Sequence, residues 1–201
     1  MHDDSDSEHS LSTVLFVPGL RGQVADHWQT LLAQETPGAR TVPPEQAQPL
    51  SREVRVRNLD REVDAIDGQA LLVAHSAGAL IVVHWAQAHP TKAARRIAGA
   101  LLATPADLEH PLPQGYPTVD ELSANGWLPT PRVRLPFPAI LAASTNDPLA
   151  RIERIQQLAR DWGCQFEVLG AVGHLNPAAG YGPWPEAHGL LHRVRGMRNH
   201  G

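Results

Sequence analysis

Three side chains of complementary chemistry each follow a short apolar run that predicts a buried strand; they are Ser76, Asp147 and His174. A serine hydroxyl is a weak nucleophile, and it needs a base to remove its proton. The base in turn needs a carboxylate that orients it. Along the chain they occur in the order nucleophile, acid, histidine, which is one of the orders in which such a set is found. These residues therefore predict nucleophilic attack by Ser76, with His174 as base and Asp147 as orienting acid.

Each member of this set also has a simpler interpretation. Asp147 precedes a proline, which disfavours the helical conformation, and its side chain could merely cap the next helix. His174 could be an ordinary exposed histidine in a glycine-bounded loop. His75 is a second candidate base, although adjacent residues on a turn normally point apart. Asp107 and Asp120 are alternative acids.

Ser76 lies where a strand is expected to turn sharply into a helix. The apolar run before it is too short for a buried helix, and the small and aliphatic residues after it predict a helix that Pro90 stops. Ala74, Ala77 and Gly78 are small enough for two stretches of backbone to pass closely. The stretch resembles the Gly-x-Ser-x-Gly nucleophile elbow, with Ala74 in place of the first glycine.

An attacked carbonyl develops negative charge on its oxygen, which backbone N–H groups can stabilise. Ala77 is expected to supply one donor, because it opens a helix whose dipole favours negative charge. The loop after the first strand is expected to supply the other from Leu20, with Arg21 as second choice. Trp127 and Leu128 either close over a pocket or fill a crevice on the core. The candidates for the substrate pocket are His75, Arg21, Trp127 and Leu128.

Hydrophobic patterning places these residues on alternating strands and helices. Strands are expected at residues 13–17, 39–42, from residue 70, at 97–103, 137–143 and 165–169. Helices are expected from Asp26 to Gly38, from Ser51 to Gly68, after Ser76, from Leu149 onward, and from Glu186 to Arg198. This alternation predicts a doubly wound, mainly parallel α/β sheet with helices on both faces. In such a sheet, function collects at the carboxyl ends of the strands.

The helix that begins at Ser51 is unusually rich in charge. We expect its charged residues to form a solvated face rather than an arginine-based binding site; they are Arg52, Glu53, Arg55, Arg57, Asp60, Arg61 and Glu62.

Size and composition narrow the function classes. The 201 residues suit one α/β-hydrolase domain over residues 12–201, preceded by a polar leader, residues 1–11, that we expect to be disordered. Residues 105–136 are rich in proline and predict an irregular, lid-like segment. A net charge of −4 excludes a basic nucleic-acid footprint. Without an apolar span, a secretory signal or a metal-binding motif, we expect a cytoplasmic protein with no cofactor, no metal and no membrane partner.

Several motifs together resemble the small serine hydrolases typified by retinoblastoma-binding protein 9 and the bacterial YdeN-like proteins. The motifs are Pro18-Gly19-Leu20, Asp26-His27-Trp28, residues 73–78, residues 135–138, residues 144–148 and residues 173–176. The resemblance runs from about Thr13 to about Leu191. It implies a compact α/β-hydrolase fold, a triad of Ser76, Asp147 and His174, and weak esterase-type activity on small model esters. Ala74 and Ala77 depart from the usual family pattern without removing a catalytic group.

These observations favour a cofactor-free serine hydrolase that acts on a small-molecule acyl substrate, an ester, thioester or amide, through an acyl-enzyme on Ser76. The alternative is a protein-binding module that retains the hydrolase fold without catalysis, because fold alone does not decide function. Acyl transfer to an acceptor other than water shares the first half-reaction. The oligomeric state is left open by the sequence.

Overall fold

The computed structural model describes residues 12–197, and within that range it contains six strands, seven α-helices and one short 3₁₀ helix, Pro177–Ala179. The strands are β1 (Thr13–Val17), β2 (Arg40–Thr41), β3 (Ala70–His75), β4 (Ile97–Ala103), β5 (Ala139–Ala143) and β6 (Gln165–Val168). The helices are α1 (Trp28–Glu35), α2 (Arg52–Asp64), α3 (Ala77–Ala88), α4 (Pro90–Arg96), α5 (Val119–Ala124), α6 (Ile152–Trp162) and α7 (Glu186–Gly196). The expected leader, residues 1–11, and the last expected helical residue, Arg198, lie outside the described residues.

Every pairing between these strands is parallel, in the order β2-β1-β3-β4-β5-β6 across the sheet. The chain moves from β1 outward to β2 and then returns to β3 on the other side of β1. Val17 lies opposite Ala74, and His75 lies opposite Ala103, so the three neighbouring strands end close together. A reversal of strand order opens a crevice beyond the carboxyl ends, where parallel sheets bind ligands. Here that crevice lies beyond β1 and β3.

Helices cover both faces of the sheet because successive strand residues point to opposite sides. Leu71 and Val73 of β3 pack on the side of α1 and α7. Leu72 and Ala74 pack on the side of α2, α3 and α6. The fold class is thus the expected one, a parallel α/β sheet with helices on both faces.

The ends of several elements differ from expectation. His27, not Asp26, caps α1, because its Nδ1 accepts a hydrogen bond from the Gln29 amide at 3.1 Å. Ser51 caps α2 as expected, but α2 ends at Asp64 and not near Gly68. Helix α3 ends at Ala88, just before Pro90 as expected, but Pro90 also begins a further helix, α4, at a position where a missing amide hydrogen costs nothing.

Strand β5 begins two residues later than expected, at Ala139, and β6 ends one residue earlier, at Val168. Helix α6 begins at Ile152, so Leu149 precedes it. Residues 105–136 are not wholly irregular, because they contain α5, which opens with a capping box between Thr118 and Glu121. Such a box satisfies backbone donors that would otherwise lack partners.

The charged residues of α2 do not form one solvated face, which corrects the expectation for Arg55. Glu53 and Arg57 are exposed and pair at 2.6 Å. Arg55 is only 6% exposed, and its guanidinium group bonds backbone carbonyl oxygens. Arg52 also turns inward, donating from Nε to the Gly126 carbonyl at 3.0 Å. Within residues 12–197, no helix is both long and apolar enough to cross a bilayer.

Candidate active site

Ser76 lies at the sharp turn between β3 and α3. Its φ of 56° is unusual for a residue with a side chain, and such backbone strain gathers at functional sites. Its amide donates to the Ala103 carbonyl at 3.0 Å, which fixes the turn to the end of β4. A Cβ added to Gly78 would lie 2.1 Å from the Val17 carbonyl oxygen. The expected close approach of two backbones is therefore present, and it requires glycine at this position.

Ser76, His174 and Asp147 form one continuous chain of hydrogen bonds. The Ser76 hydroxyl lies 2.8 Å from His174 Nε2. On the other side of the ring, His174 Nδ1 lies 2.9 and 3.0 Å from the two carboxylate oxygens of Asp147. A carboxylate accepts the Nδ1 proton, which leaves Nε2 free to accept the serine proton. Both the imidazole and the carboxylate are buried, so water does not compete strongly for these bonds.

Asp147 is not the N-cap of α6, and the two alternative acids, Asp107 and Asp120, do not bond His174. Asp147 accepts a bond from the Leu149 amide at 2.8 Å, but α6 begins later, with Arg151 as its cap. Asp107 lies 2.7 Å from His110 Nδ1, and Asp120 lies in the first turn of α5. Asp107 thus pairs with His110, and Asp147 is the carboxylate that contacts His174.

Sequence analysis missed two side chains that join the loops carrying Asp147 and His174. Asn146 Oδ1 accepts a bond from the Gly173 amide at 2.7 Å. The Ser144 hydroxyl accepts from the Val172 amide at 3.2 Å and donates to Asn146 Oδ1 at 2.9 Å. Local turn chemistry does not predict these bonds, because Val172 and Gly173 lie 28 and 27 residues along the chain from their partners.

His75 supports the other side of the histidine loop. Its Nε2 donates to the His174 carbonyl at 2.9 Å. Burial lowers the pKa of His75 well below its usual value, and the nearby His174 and His27 lower it further. His75 is therefore neutral at pH 7. It lines the pocket beside Ser76, as expected, but its ring anchors the loop and is not the base that contacts the serine.

His27 extends this group of histidines toward α1. Its ring centroid lies 4.6 Å from that of His75. Burial, and secondarily the nearby His174, lower the pKa of His27 to about 4 against an opposing effect of Asp26. Among residues 12–197, no group of three or more histidine, cysteine or acidic side chains is arranged to hold a metal ion.

The expected oxyanion donors lie around the serine. Ala77 is the first residue of α3, so its amide has no carbonyl partner within the helix. Leu20 and Arg21 lie in the loop after β1 and line the same pocket as Ser76. Gly19 brings that loop close, because a Cβ added there would lie 3.6 Å from the serine hydroxyl.

The pocket beside Ser76 has a volume of about 170 Å³. Much of its wall is apolar. Residues 105–136 contribute Ala106, Leu108, Leu112 and Tyr116, and two further loops contribute Leu20 and Leu149. The Arg21 guanidinium carbon lies 5.0 Å from the centre of the Tyr116 ring, within range of a cation–π contact. The lid-like segment thus contributes to the pocket wall.

Trp127 and Leu128 were candidates for the substrate pocket, but neither lines it. Trp127 is fully buried in the core, and its Nε1 donates to the Leu50 carbonyl at 2.7 Å. Leu128 is half-buried against the same core cluster. Tryptophan has a large apolar surface and one N–H donor. Here the surface is buried in the core and the donor has a carbonyl partner. The alternative, that the pair fills a crevice on the core, describes their position.

Comparison with known proteins identifies the fold and the family of this chain. A protein described as a YdeN-like hydrolase from Pectobacterium atrosepticum is 27% identical over 92% of this chain and 89% of its own, with a TM-score of 0.72. The ydeN gene product of B. subtilis is 16% identical over 92% of this chain and 100% of its own, with a TM-score of 0.65. Est1E from Butyrivibrio proteoclasticus is 12% identical over 92% of this chain and 86% of its own, also with a TM-score of 0.65.

At 16% and 12% identity, the last two structures establish the fold alone. A comparison with curated protein sequences gives no significant match. The model of one family, described as serine hydrolase, matches residues 14–193, nearly the whole chain. The expected membership in a family of small serine hydrolases is confirmed: this chain belongs to the serine hydrolase family and is an enzyme of that type.

Proposed function

We propose that this enzyme hydrolyses a small carboxylic ester, thioester or amide through an acyl-enzyme on Ser76. The supporting observation is the unbroken chain of hydrogen bonds from the Ser76 hydroxyl through His174 to Asp147. The hydroxyl at the head of that chain lines the pocket, so a bound carbonyl carbon can approach it. Nucleophile, base and orienting carboxylate are the three parts that acyl transfer by serine requires.

In the first half-reaction, the Ser76 oxygen attacks the carbonyl carbon while its proton passes to His174 Nε2. The tetrahedral intermediate collapses, and His174 gives that proton to the leaving group. In the second half-reaction, water attacks the acyl group, His174 accepts its proton, and Ser76 leaves as the free hydroxyl. Asp147 keeps the imidazole in the Nδ1–H tautomer and stabilises the imidazolium that forms twice in each cycle.

Backbone amides stabilise the oxyanion in both half-reactions. We assign one donor to Ala77, at the start of α3, where the helix dipole adds to the hydrogen bond. Leu20 is the second donor, with the neighbouring amide of Arg21 as the alternative. This role explains why the loop after β1 must approach Ser76 as closely as Gly19 allows.

The size of the pocket favours a short or aryl acyl group. A cavity of about 150 Å³ in another protein holds one benzene molecule, and the pocket here measures about 170 Å³. Leucine and alanine side chains form much of its wall, so an apolar acyl group gains by leaving water. A long alkyl chain would extend beyond this space and gain less for each added methylene.

Steady-state hydrolysis of p-nitrophenyl acetate, butyrate, hexanoate and dodecanoate tests the proposal. We expect kcat/KM to peak at butyrate or hexanoate and to fall by about tenfold or more at dodecanoate, since each buried methylene contributes about 0.8 kcal/mol only while the pocket has room. Ser76→Ala should lose at least ~10³-fold in kcat. Ser123→Ala, at an exposed serine of α5, is the matched control and should behave as wild type. Turnover that survives Ser76→Ala, or no turnover by wild type, would contradict the proposal.

A further inference from the structure

A buried arginine, Arg55, bonds the loop after β1 and has no role in the triad. Arg55 projects from the first half of α2 and is 6% exposed. Its Nη2 donates to the Leu20 carbonyl at 2.9 Å, and its Nη1 donates to the Gly19 carbonyl at 3.4 Å. Its Nε donates to the Pro49 carbonyl at 2.8 Å, which fixes the plane of the guanidinium group. One side chain thus holds two successive carbonyl groups of the same loop.

These bonds determine where the loop's amides point. In a trans peptide unit, the C=O and the following N–H point in opposite directions. Because Arg55 draws the Gly19 carbonyl toward α2, the Leu20 amide points away from α2. In the same way, the bond to the Leu20 carbonyl turns the Arg21 amide away from α2. Leu20 and Arg21 line the pocket that Ser76 also lines.

Within residues 12–197, no other hydrogen bond to this loop sets the direction of these amides as fully. The Gly22 amide donates to the Gly19 carbonyl at 3.0 Å, which closes a turn but leaves the Leu20 carbonyl without that support. Gly22 also packs closely on the next loop, since a Cβ there would lie 3.1 Å from Pro44 Cβ. Burying a guanidinium is costly unless its donors are used, so the three carbonyl bonds are needed to hold it there.

We propose that Arg55 is a positioning residue that aims the Leu20 and Arg21 amides at the oxyanion of the reaction. The proposal rests on the proposed function, because it concerns the same intermediate. Arg55 does not touch the substrate in this account. It acts through the peptide planes of the loop, so it should affect the transition state more than substrate binding. A lysine ammonium has donors for these carbonyl groups but no planar fork to fix their directions, and it lacks the Nε–H that bonds the Pro49 carbonyl.

Kinetics with p-nitrophenyl butyrate on Arg55→Met, Arg55→Lys and Arg96→Met tests this role. Arg96 is the matched control, because its guanidinium bonds three backbone carbonyls of its own, at Gly68, Val63 and Ile66, far along the chain from the loop. Removing an oxyanion donor typically costs ~10²–10³ in kcat, and misaiming one should cost less. We expect kcat of Arg55→Met to fall by about 10- to 100-fold, with KM changed less than about threefold. Arg55→Lys should recover part of the loss.

A second readout separates positioning from a general loss of stability. The apparent pKa in the pH profile of kcat/KM should be the same in Arg55→Lys and wild type, because Arg55 does not contact His174. A trifluoromethyl ketone, which forms a tetrahedral adduct on serine, should bind Arg55→Lys more weakly in proportion to the loss of kcat/KM. Arg96→Met should change neither the apparent pKa nor the affinity for the ketone, even if its melting temperature falls as far as that of the Arg55 variants.

Three outcomes decide the matter. Loss of kcat and of analogue affinity in the Arg55 variants, but not in Arg96→Met, would support the positioning role. If folded Arg55→Met and Arg55→Lys both keep wild-type kcat and analogue affinity while wild type shows Ser76-dependent turnover, the positioning role is wrong and the proposed function stands. If wild type shows no Ser76-dependent turnover, the proposed function is wrong and the role of Arg55 falls with it.

Discussion

At the scale of single residues, the site depends on buried polar groups whose partners fix their chemical state. Asp147 accepts from both His174 and the Leu149 amide, so its carboxylate cannot rotate away from the imidazole without losing a bond. His75 has its pKa lowered mainly by burial, and it holds the His174 carbonyl as a neutral donor. The result is one imidazole, that of His174, whose free nitrogen faces the serine.

Asp147→Asn should lower kcat on p-nitrophenyl butyrate by up to ~10⁴, the loss seen when the same change is made in a serine protease. The asparagine oxygen can still accept from the Leu149 amide, so the fold should survive. Its amide nitrogen would then face His174 Nδ1 and favour the tautomer with a proton on Nε2, which cannot accept from serine. Stopped-flow or steady-state assays would measure the loss.

Asp120→Asn is the control for that variant, because Asp120 was an alternative acid and lies in α5 without contact to His174. It should keep kcat within about twofold of wild type. A folded Asp147→Asn enzyme with near-normal kcat would contradict the role of Asp147, as would an equal loss in both variants.

At the scale of elements, the position of Ser76 follows from how tightly α3 starts against the end of β1. Gly78 has no side chain, and that lets the Val17 carbonyl pass where a Cβ would be. Gln29 of α1 adds a bridge, since its Nε2 donates to the Val73 carbonyl at 3.0 Å. Strand β1 and helices α1 and α3 therefore hold the turn at Ser76 in place.

Gly78→Ala should destabilise the protein by about 3 kcal/mol or more, because backbone must move to admit the new methyl group. It should also reduce activity, since any shift of α3 moves Ser76. Gly189→Ala is the matched control: Gly189 lies inside α7, and an added Cβ meets no atom within 4 Å. That change should stabilise α7 by up to about 1 kcal/mol. Urea unfolding would measure the free energy of unfolding of both variants. Equal values for the two would contradict the requirement for glycine at position 78.

At the scale of the whole molecule, parallel strand order explains why much of the site was predictable. Ser76, Asp147 and His174 were each expected just beyond a strand, and parallel strands bring such positions to one edge of the sheet. Arg55 was not predictable, because helical periodicity alone gives no sign that loops 18–22 and 43–49 fold over the start of α2. The choice between a pocket position and a crevice on the core stayed open for Trp127, because its partner, the Leu50 carbonyl, is 77 residues distant along the chain.

The central claim is that Ser76 is an activated nucleophile, and the intact mass of the protein after treatment with a fluorophosphonate tests it most directly. We expect one adduct on wild type that maps to Ser76, no adduct on Ser76→Ala, and none on heat-unfolded wild type, in which His174 no longer contacts the hydroxyl. A folded wild-type protein that gains no adduct, or a Ser76→Ala variant that is labelled as fast as wild type, would contradict it.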